Sequence, residues 1–272
     1  MYSLHRISGF LFSIFLSLTA SGSNPFSLPA GAGEAGMGSV CILRSGFWPS
    51  FQNQALLAYH KSFSAGIIYE SRFNISELGT RAAGMIIPAG RASLGIIYSN
   101  FGYSQFRRET GGIACGLKFS ENISGGIQVD YFAEKPAGEY ENIQLITYEA
   151  GLLFKPKENI SVGVHIFNPV PNSLRRFVLP SSLRAGAGID LSGVLFAGAE
   201  AEMSSGRNLV LRTGFEYEAA KNLWLRGGFS SENTSFTFGL GYRLSSLKLD
   251  LAFATHEKLG ITSGVSLVFQ IK

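Results

Sequence analysis

Residues 247–253 read Leu-Lys-Leu-Asp-Leu-Ala-Phe, and they give the clearest indication of the fold. Its odd-numbered positions are all apolar, whereas the even-numbered positions are Lys248, Asp250 and Ala252. Successive side chains of a β-strand point to opposite faces, so the stretch predicts a strand with one apolar and one polar face.

The same alternation recurs along the chain in segments of strand length, separated by short polar breaks. We predict fourteen strands, and these are Ser62–Phe73, Leu78–Pro88, Arg91–Phe101, Gly112–Phe119, Ile123–Phe132, Ile143–Phe154, Ile160–Phe167, Leu183–Leu191, Val194–Met203, Leu209–Glu218, Leu223–Ser230, Ser235–Arg243, Leu247–Thr255 and Ile261–Ile271.

The charged residues of these segments support the alternation. Five predicted strands carry more than one charge, and in each of them every charge falls on the parity opposite the apolar residues. A soluble β-sandwich would direct that polar face to water, whereas a membrane barrel would direct it to the lumen. We therefore assign these candidate residues to a lumen: Arg72, Arg81, Arg91, Asp130, Glu149, His165, Arg184, Glu200, Arg212, Glu216 and Arg226.

Composition favours the membrane barrel over the sandwich. The chain has 272 residues, of which 15% are charged and 33 are glycine; about 25% charged residues is usual for a soluble domain. The apolar parity is rich in aromatic residues near strand ends, as interfacial girdles require. The polar parity is rich in glycine, which leaves room for a plug or for close backbone contact.

The N-terminal residues 1–22 predict a secretory signal peptide. His5 and Arg6 form a weak basic region, and an apolar run from Phe10 to Leu18 precedes small residues suited to cleavage. No run of 18 apolar residues follows. An exported chain of this kind can still enter a membrane as a barrel, so we expect the outer membrane of a Gram-negative bacterium and contact with its lipid.

Residues 23–61 interrupt the alternation. They contain Gly36-Met37-Gly38 within a glycine-rich run, and later Asn53-Gln54-Ala55. Unpaired backbone groups are costly in lipid, so this segment should lie inside or below the barrel. We predict an N-terminal hatch over residues 23–61 and a barrel over residues 62–272.

These same motifs resemble a known family. The run AGMGSVCIL followed by FWPSFQNQALLA is similar to the opening of the FadL superfamily of outer-membrane barrels, and in particular to the PorV/PorQ branch found with type IX protein secretion. The matching positions are the hatch residues Gly36, Met37, Gly38, Asn53, Gln54 and Ala55. The resemblance implies an all-β, fourteen-stranded antiparallel transmembrane barrel with an N-terminal hatch.

Other classes of protein find little support in the sequence. The net charge of +4 is spread along the chain without a Lys/Arg run, which argues against nucleic-acid binding. Cys41 and Cys115 make no metal site, and we expect two free thiols and no cofactor. His165 has no convincing nucleophile beside it, so we predict that the chain is not an enzyme.

Two functions remain open at this stage. The PorV/PorQ resemblance implies an accessory of protein secretion or cell-surface assembly, whose partners would be secretion-system proteins. The wider superfamily implies passive passage of hydrophobic small molecules. A lipid-modifying barrel enzyme is a weaker alternative. Apolar residues assigned to the lumen could line a lipophilic pocket or seat the hatch, and these are Ile68, Met85, Ile97, Phe132, Phe167, Phe196 and Trp224.

Overall fold

The structure is a computed structural model that describes residues 28–136, 142–169 and 179–271. The predicted signal peptide (residues 1–22) and residues 23–27 of the predicted hatch lie outside the described residues. No helix in the described part of the chain is both long and apolar enough to cross a membrane.

Fourteen strands form one closed barrel in which every strand pairs antiparallel with its neighbours in sequence. The strands are β1 Ser64–Ser71, β2 Gly79–Ala89, β3 Ala92–Gly102, β4 Arg107–Lys118, β5 Ile123–Lys135, β6 Ile143–Lys157, β7 Ile160–Phe167, β8 Ser182–Ser192, β9 Leu195–Ser204, β10 Val210–Ala220, β11 Leu223–Ser230, β12 Ser235–Leu244, β13 Leu247–His256 and β14 Gly260–Gln270. The barrel closes because β1 also pairs with β14, from Ser64 against Gln270 to Ser71 against Ser263.

The predicted number and order of strands are confirmed, and β7 and β11 have the predicted bounds. The largest difference is β4, which begins at Arg107, five residues before the predicted Gly112. Residues 107–109 are all charged, so the apolar alternation is absent there. The structure nevertheless pairs them with β3 and β5, and Arg108 forms an ion pair with Glu134 at 2.5 Å.

The outer wall is apolar and the inner wall is polar. Ile113 and Ile127 point outward and are 64% and 63% exposed, whereas Gln128 and Asp130 point inward and are buried. Exposing so much apolar side chain to water would be unfavourable, while lipid accommodates it. The barrel is therefore oriented as the membrane interpretation predicts, with its charged face in the lumen.

We call the end at which β1 begins the lower end, and the opposite end the upper end. The lower connections are short; Gly90 and Asn222, for example, form tight turns with φ angles of 68° and 65°. Left-handed backbone is easily adopted by glycine and asparagine, which suits these hairpins. Single 3₁₀ turns in upper loops span Arg72–Asn74, Ser76–Leu78 and Glu232–Thr234.

The described N-terminal residues 28–61, here called the N-terminal segment, lie inside the barrel. A short helix α1 (Ala32–Ala35) packs against β12, β13 and β14, and a 3₁₀ helix at Gln54–Tyr59 packs against β3 to β6. Another 3₁₀ turn spans Pro49–Phe51. Most of this segment is buried, and most of the buried apolar core of the described residues lies where the segment contacts the inner wall.

Candidate functional site

The turn at Gly36-Met37-Gly38 lies flat against the inner wall. Gly38 has a φ angle of 67°, and its nitrogen donates a hydrogen bond to Thr237 Oγ1 at 2.7 Å. The same hydroxyl donates to the carbonyl of Gly36 at 3.0 Å. A hydroxyl can both donate and accept. One side chain of β12 therefore holds both ends of the turn.

Glycines of the wall make room for this turn. A Cβ added to Gly214 on β10 would collide with the Met37 carbonyl, and one added to Gly228 on β11 would collide with the Met37–Gly38 peptide. Gly214 and Gly228 pair directly across the two strands. The backbone of the N-terminal segment therefore approaches a flat, side-chain-free part of the wall.

We call the part of the inner wall that contacts Gly36-Met37-Gly38 the first seat of the segment. A second seat holds Asn53-Gln54-Ala55. Asn53 Nδ2 donates to the carbonyls of Ile42 at 2.8 Å and Leu152 at 3.2 Å, while Asn53 Oδ1 accepts from the nitrogen of Ala55 at 3.1 Å. Gln54 Nε2 donates to Glu149 Oε2 at 2.8 Å. Asn53 thus begins the 3₁₀ helix as its N-cap and ties the segment to β6.

Glycines again form the wall behind this second seat. Gly116, Gly126 and Gly151 are paired neighbours on β4, β5 and β6. A Cβ at Gly126 would come within 2.5 Å of the carbonyl carbon of Gln54, and a Cβ at Gly151 would collide with Asn53. Both sequence motifs therefore rest on rows of wall glycines.

Glu200 on β9 holds the segment between the two seats. Its Oε1 accepts hydrogen bonds from the nitrogens of Cys41 at 2.6 Å and Ile42 at 2.8 Å. Arg184 on β8 contacts Cys41 Sγ at 2.8 Å and lies 3.8 Å from Glu200. Hydrogen bonds to a buried carboxylate are stronger than neutral ones, so this contact is a firm anchor.

Several other lumen charges form ion pairs of alternating sign. Glu202 pairs with Arg184 and with Arg212, both at 2.7 Å. Arg226 pairs with Glu216 at 2.7 Å and with Asp250 at 2.8 Å. A pore selective for ions of one sign would show rings of like charge, which differs from this arrangement. The pairs instead cross-link strands between β8 and β13 and close the space around the segment.

His165 lies on β7 with Nε2 at 3.1 Å from Glu149 Oε2. Within the described residues no serine, threonine or cysteine side chain hydrogen-bonds His165. A nucleophile held by its base is the geometric requirement for this kind of covalent catalysis. In the described residues no group of three or more His, Cys, Asp or Glu side chains could hold a metal ion. Cys41 and Cys115 are free thiols.

The opposite side of the N-terminal segment is apolar. The rings of Phe47, Trp48 and Phe51 stack edge to face, with centroids 4.9 Å and 5.7 Å from that of Phe47. They form one buried cluster with wall residues that include Ile68 and Ile97. In the described residues no hydrogen bond or ion pair links the segment to β1, β2 or β3. This side is therefore held by apolar packing alone.

Two cavities lie on opposite sides of the segment and share no lining residue. The upper cavity has about 190 Å³ and is lined by polar residues such as Glu70, Arg72 and Arg212. The lower one has about 650 Å³ and includes Glu34, His60 and several residues of the lower rim. The segment thus separates an upper from a lower vestibule.

Burial alters the ionisation of groups in the segment. It raises the pKa of Glu34 to about 7, against opposition from the nearby Lys248. Burial also raises the pKa of Cys41 to about 12, and it lowers the pKa of His60. Cys41 is thus a neutral thiol near neutral pH, and Glu34 titrates there.

Most of the predicted lumen residues face the lumen, but two do not. The inward residues are Asp130, Glu149, His165, Arg184, Glu200, Arg212, Glu216 and Arg226, and Arg72 lines the upper vestibule. The prediction for Arg81 is wrong, because this residue points outward with its guanidinium 5.7 Å from the Tyr69 ring. The prediction for Arg91 is also wrong, because this residue lies exposed in the lower turn between β2 and β3.

The error at Arg81 has a physical cause. Strand β2 carries small or apolar residues on both parities, so alternation does not determine which parity is the inner one. The structure turns Ala82 and Ile86 inward, where they join the apolar cluster that contains Phe51. Arg81 and Met85 consequently point outward. Met85, 39% exposed, is therefore not part of the predicted lumen pocket.

Several residues that hold the N-terminal segment were not predicted from the sequence. Thr237 and the paired wall glycines hold the two motifs, and only the richness of glycine on the polar parity signalled them. Arg44, in the segment, pairs with Glu216 at 2.6 Å. Tyr59 lies under the ammonium groups of Lys118 and Lys155, at 4.4 Å and 4.3 Å from its ring. Nothing in a single sequence reports such contacts between distant residues.

No protein-family model matches the chain, and a search of curated proteins finds no match. Solved structures share its fold. The Ralstonia pickettii toluene transporter TbuX superposes with a TM-score of 0.68 at 13% identity, covering 88% of this chain and 97% of that one. The Pseudomonas putida toluene transporter TodX has a TM-score of 0.67 at 12% identity, with 90% and 98% covered.

A Pseudomonas aeruginosa FadL homologue has a TM-score of 0.64 at 12% identity, covering 90% of this chain and 98% of that chain. At these identities the likeness concerns the fold. The chain therefore has the fourteen-stranded barrel fold of FadL-type outer-membrane proteins.

Proposed function

We propose that this chain is a non-enzymatic barrel of the Gram-negative outer membrane that lets hydrophobic small molecules pass by displacement of the N-terminal segment. The fold supports this proposal, since two proteins with the same fold are toluene transporters. In this proposal the lower end faces the periplasm, where outer-membrane barrels have short turns. The N-terminal segment then acts as the hatch.

The main support for this proposal is that the segment is attached differently to two sides of the barrel wall. Toward β6, β8 to β10 and β12 the segment is held by directional hydrogen bonds and ion pairs, such as those of Glu200 and Thr237. Toward β1 to β3 it is held by the packing of Phe47, Trp48 and Phe51. An apolar solute can replace apolar packing at low cost, whereas it cannot replace those hydrogen bonds.

The path for a hydrophobic molecule therefore runs between the aromatic side of the hatch and the wall of β1 to β3. Small residues line that wall: a Cβ at Gly84 would lie 3.3 Å from the Phe51 ring, and one at Gly95 would lie 2.9 Å from it. Added bulk at Gly95 would fill the path. Truncation at Phe51 would widen it.

The test measures uptake of the apolar dye N-phenylnaphthylamine by cells that produce the chain. The intact protein should accelerate uptake over cells that lack it, Phe51→Ala should accelerate it further, and Gly95→Leu should abolish the gain. Gly111→Leu is the matched control, because a side chain there meets open space. Uptake that is unchanged by Gly95→Leu would refute this path.

A second candidate is an accessory role in protein secretion or surface assembly. Its support is the PorV/PorQ-like form of Gly36-Met37-Gly38 and Asn53-Gln54-Ala55, together with short upper connections such as the residues 257–259 between β13 and β14. Deletion of the chain from its host tests it: loss of secreted proteins from the cell surface with unchanged dye uptake favours the accessory role. Normal surface proteins with reduced dye uptake favour transport.

A further inference from the structure

A polar row crosses the outer, lipid-facing wall near the upper end of β1 to β4. Tyr69 pairs with Arg81, Arg81 with Asn100, and Asn100 with Glu109, each in direct cross-strand register. Their side chains lie on the same parity as outward apolar residues such as Ile67. Charged groups on the lipid-facing side of a barrel are costly unless they lie near an interface or meet a partner there.

The charges of this row are only partly neutralised. Glu109 accepts from Tyr98 Oη and forms an ion pair with Arg107 at 2.5 Å. Arg81 has no carboxylate within ion-pair distance among the described residues, and it contacts the face of the Tyr69 ring. Asn100 Nδ2 is enclosed and donates no hydrogen bond there. With Arg107 included, the row carries two positive charges and one negative charge, and Arg81 is the cation without a carboxylate partner.

A slot lies on the outer wall directly below this row. The row beneath it pairs Ile67 with Ala83 and Ala83 with Tyr98, so a small residue stands between two large ones. Val265 and Leu267 of β14 complete the sides, and the volume is about 650 Å³. Arg81, Asn100 and Arg107 line its upper margin. An apolar slot beneath a cationic margin matches an amphiphile whose acid group points upward.

We propose that this surface binds a lipid that carries a phosphate monoester. The phosphate lies against Arg81 and Arg107, while one acyl chain lies in the slot over Ala83. Guanidinium groups form strong charge-assisted hydrogen bonds with phosphate. A phosphate monoester offers three oxygens to these two guanidinium groups, which a neutral lipid cannot do.

The site is tested by native mass spectrometry of the full chain in detergent with dilauroyl phosphatidic acid and, separately, dilauroylglycerol, which lacks only the phosphate. We expect phosphatidic acid to bind about tenfold more tightly than dilauroylglycerol, about 1.4 kcal/mol. Arg81→Gln and Ala83→Phe should each remove most of this binding. Arg91→Gln is the matched control, because Arg91 lies in an exposed lower turn, and it should bind as the parent does.

Heat-dependent mobility in gels verifies that each variant is a folded barrel before lipid is added. Inorganic phosphate at the lipid's concentration should displace little phosphatidic acid, because it gains nothing from the slot. Three results would each overturn the proposal: equal binding of the two lipids, unchanged binding by Arg81→Gln, or full displacement by inorganic phosphate. Dye uptake depends on the lumen, whereas lipid binding depends on the outer wall. The outcomes of the two tests are therefore independent.

Discussion

Glu200, on the inner face of β9, accepts a hydrogen bond from the backbone nitrogen of Cys41 at 2.6 Å. The two residues are 159 positions apart, and the bond joins the N-terminal segment to the wall. Cys41 is almost fully buried, so its thiol reacts with added reagents only when this contact opens. Its labelling rate, measured with Cys115→Ser to remove the second thiol, therefore reports on release of the segment.

Replacement of Glu200 should loosen the segment. Glu200→Ala removes acceptors for the nitrogens of Cys41 and Ile42, and hydrogen bonds to a charged group contribute about 1.5–3 kcal/mol. We expect labelling of Cys41 to accelerate at least about tenfold, which corresponds to 1.4 kcal/mol. Glu77→Ala, in an exposed upper loop, is the control. Equal labelling of the two variants would contradict the anchoring role of Glu200.

A methyl group on the glycine seat should displace the segment as well. Gly214→Ala places a Cβ against the Met37 carbonyl, and overpacking of this kind costs about 1–3 kcal/mol. Gly111→Ala adds the same atom where nothing lies within 4 Å, and it should leave stability unchanged or slightly raise it. Urea unfolding of both variants measures the difference. A neutral Gly214→Ala would mean that the seat is less tight than the structure shows.

Arginine substitutions at two depths in the membrane test whether the outer wall faces lipid. Ile113 lies in the middle of β4 and Leu244 at the lower end of β12, and they are similarly exposed, at 64% and 65%. Ile113→Arg should cost about 2–4 kcal/mol, and Leu244→Arg about 0–1 kcal/mol, because the penalty falls toward the interface. Unfolding in liposomes measures both. Equal costs would argue that water, not lipid, surrounds the barrel.

The attachment of the segment should depend on pH through Glu34. Burial raises the pKa of this carboxyl from its ordinary value of 4.5 to about 7, with Lys248, Asp250 and Arg226 as the charged neighbours. A raised pKa means that the folded state holds the proton more tightly than the unfolded chain. The stabilisation that the protonated Glu34 carboxyl gives to the folded state is therefore complete below pH 4.5, and it is lost as the pH rises through about 7.

Labelling of Cys41 with Cys115→Ser should consequently accelerate more between pH 5 and pH 8 in the parent than in Glu34→Gln. The ratio of the two rates removes the intrinsic pH dependence of thiol chemistry. Glu34→Gln keeps an uncharged group of the same size, so it should hold the segment closed over the whole range. A constant ratio would show that Glu34 does not control the attachment.

The strands were predictable because most wall segments alternate with period two, as Leu247–Phe253 shows most plainly. The inner parity was predictable wherever two or more charges marked it, as Glu200 and Glu202 do on β9. It failed at Arg81, because β2 is apolar or small on both parities and only the packing of Ala82 and Ile86 against the segment decides its orientation. The charged start of β4 was missed for the related reason that it has no apolar alternation.

The candidate site was predictable only as a list of residues. Glycine richness on the polar parity suggested close backbone contact, but the pairing of Gly214 with Gly228 beneath Met37 depends on strand register. Register and the path of the N-terminal segment follow from contacts between residues far apart in sequence. The secretion-accessory interpretation rested on short motifs alone.

Closure of the lumen by the N-terminal segment is tested by the ion conductance of the purified barrel in a planar bilayer, with and without residues 23–61. We expect that the intact barrel does not conduct, because the segment and the ion pairs close the lumen, and that the truncated barrel conducts steadily. Steady conductance of the intact barrel at the level of the truncated one would contradict it, since the lumen would then be open with the segment in place.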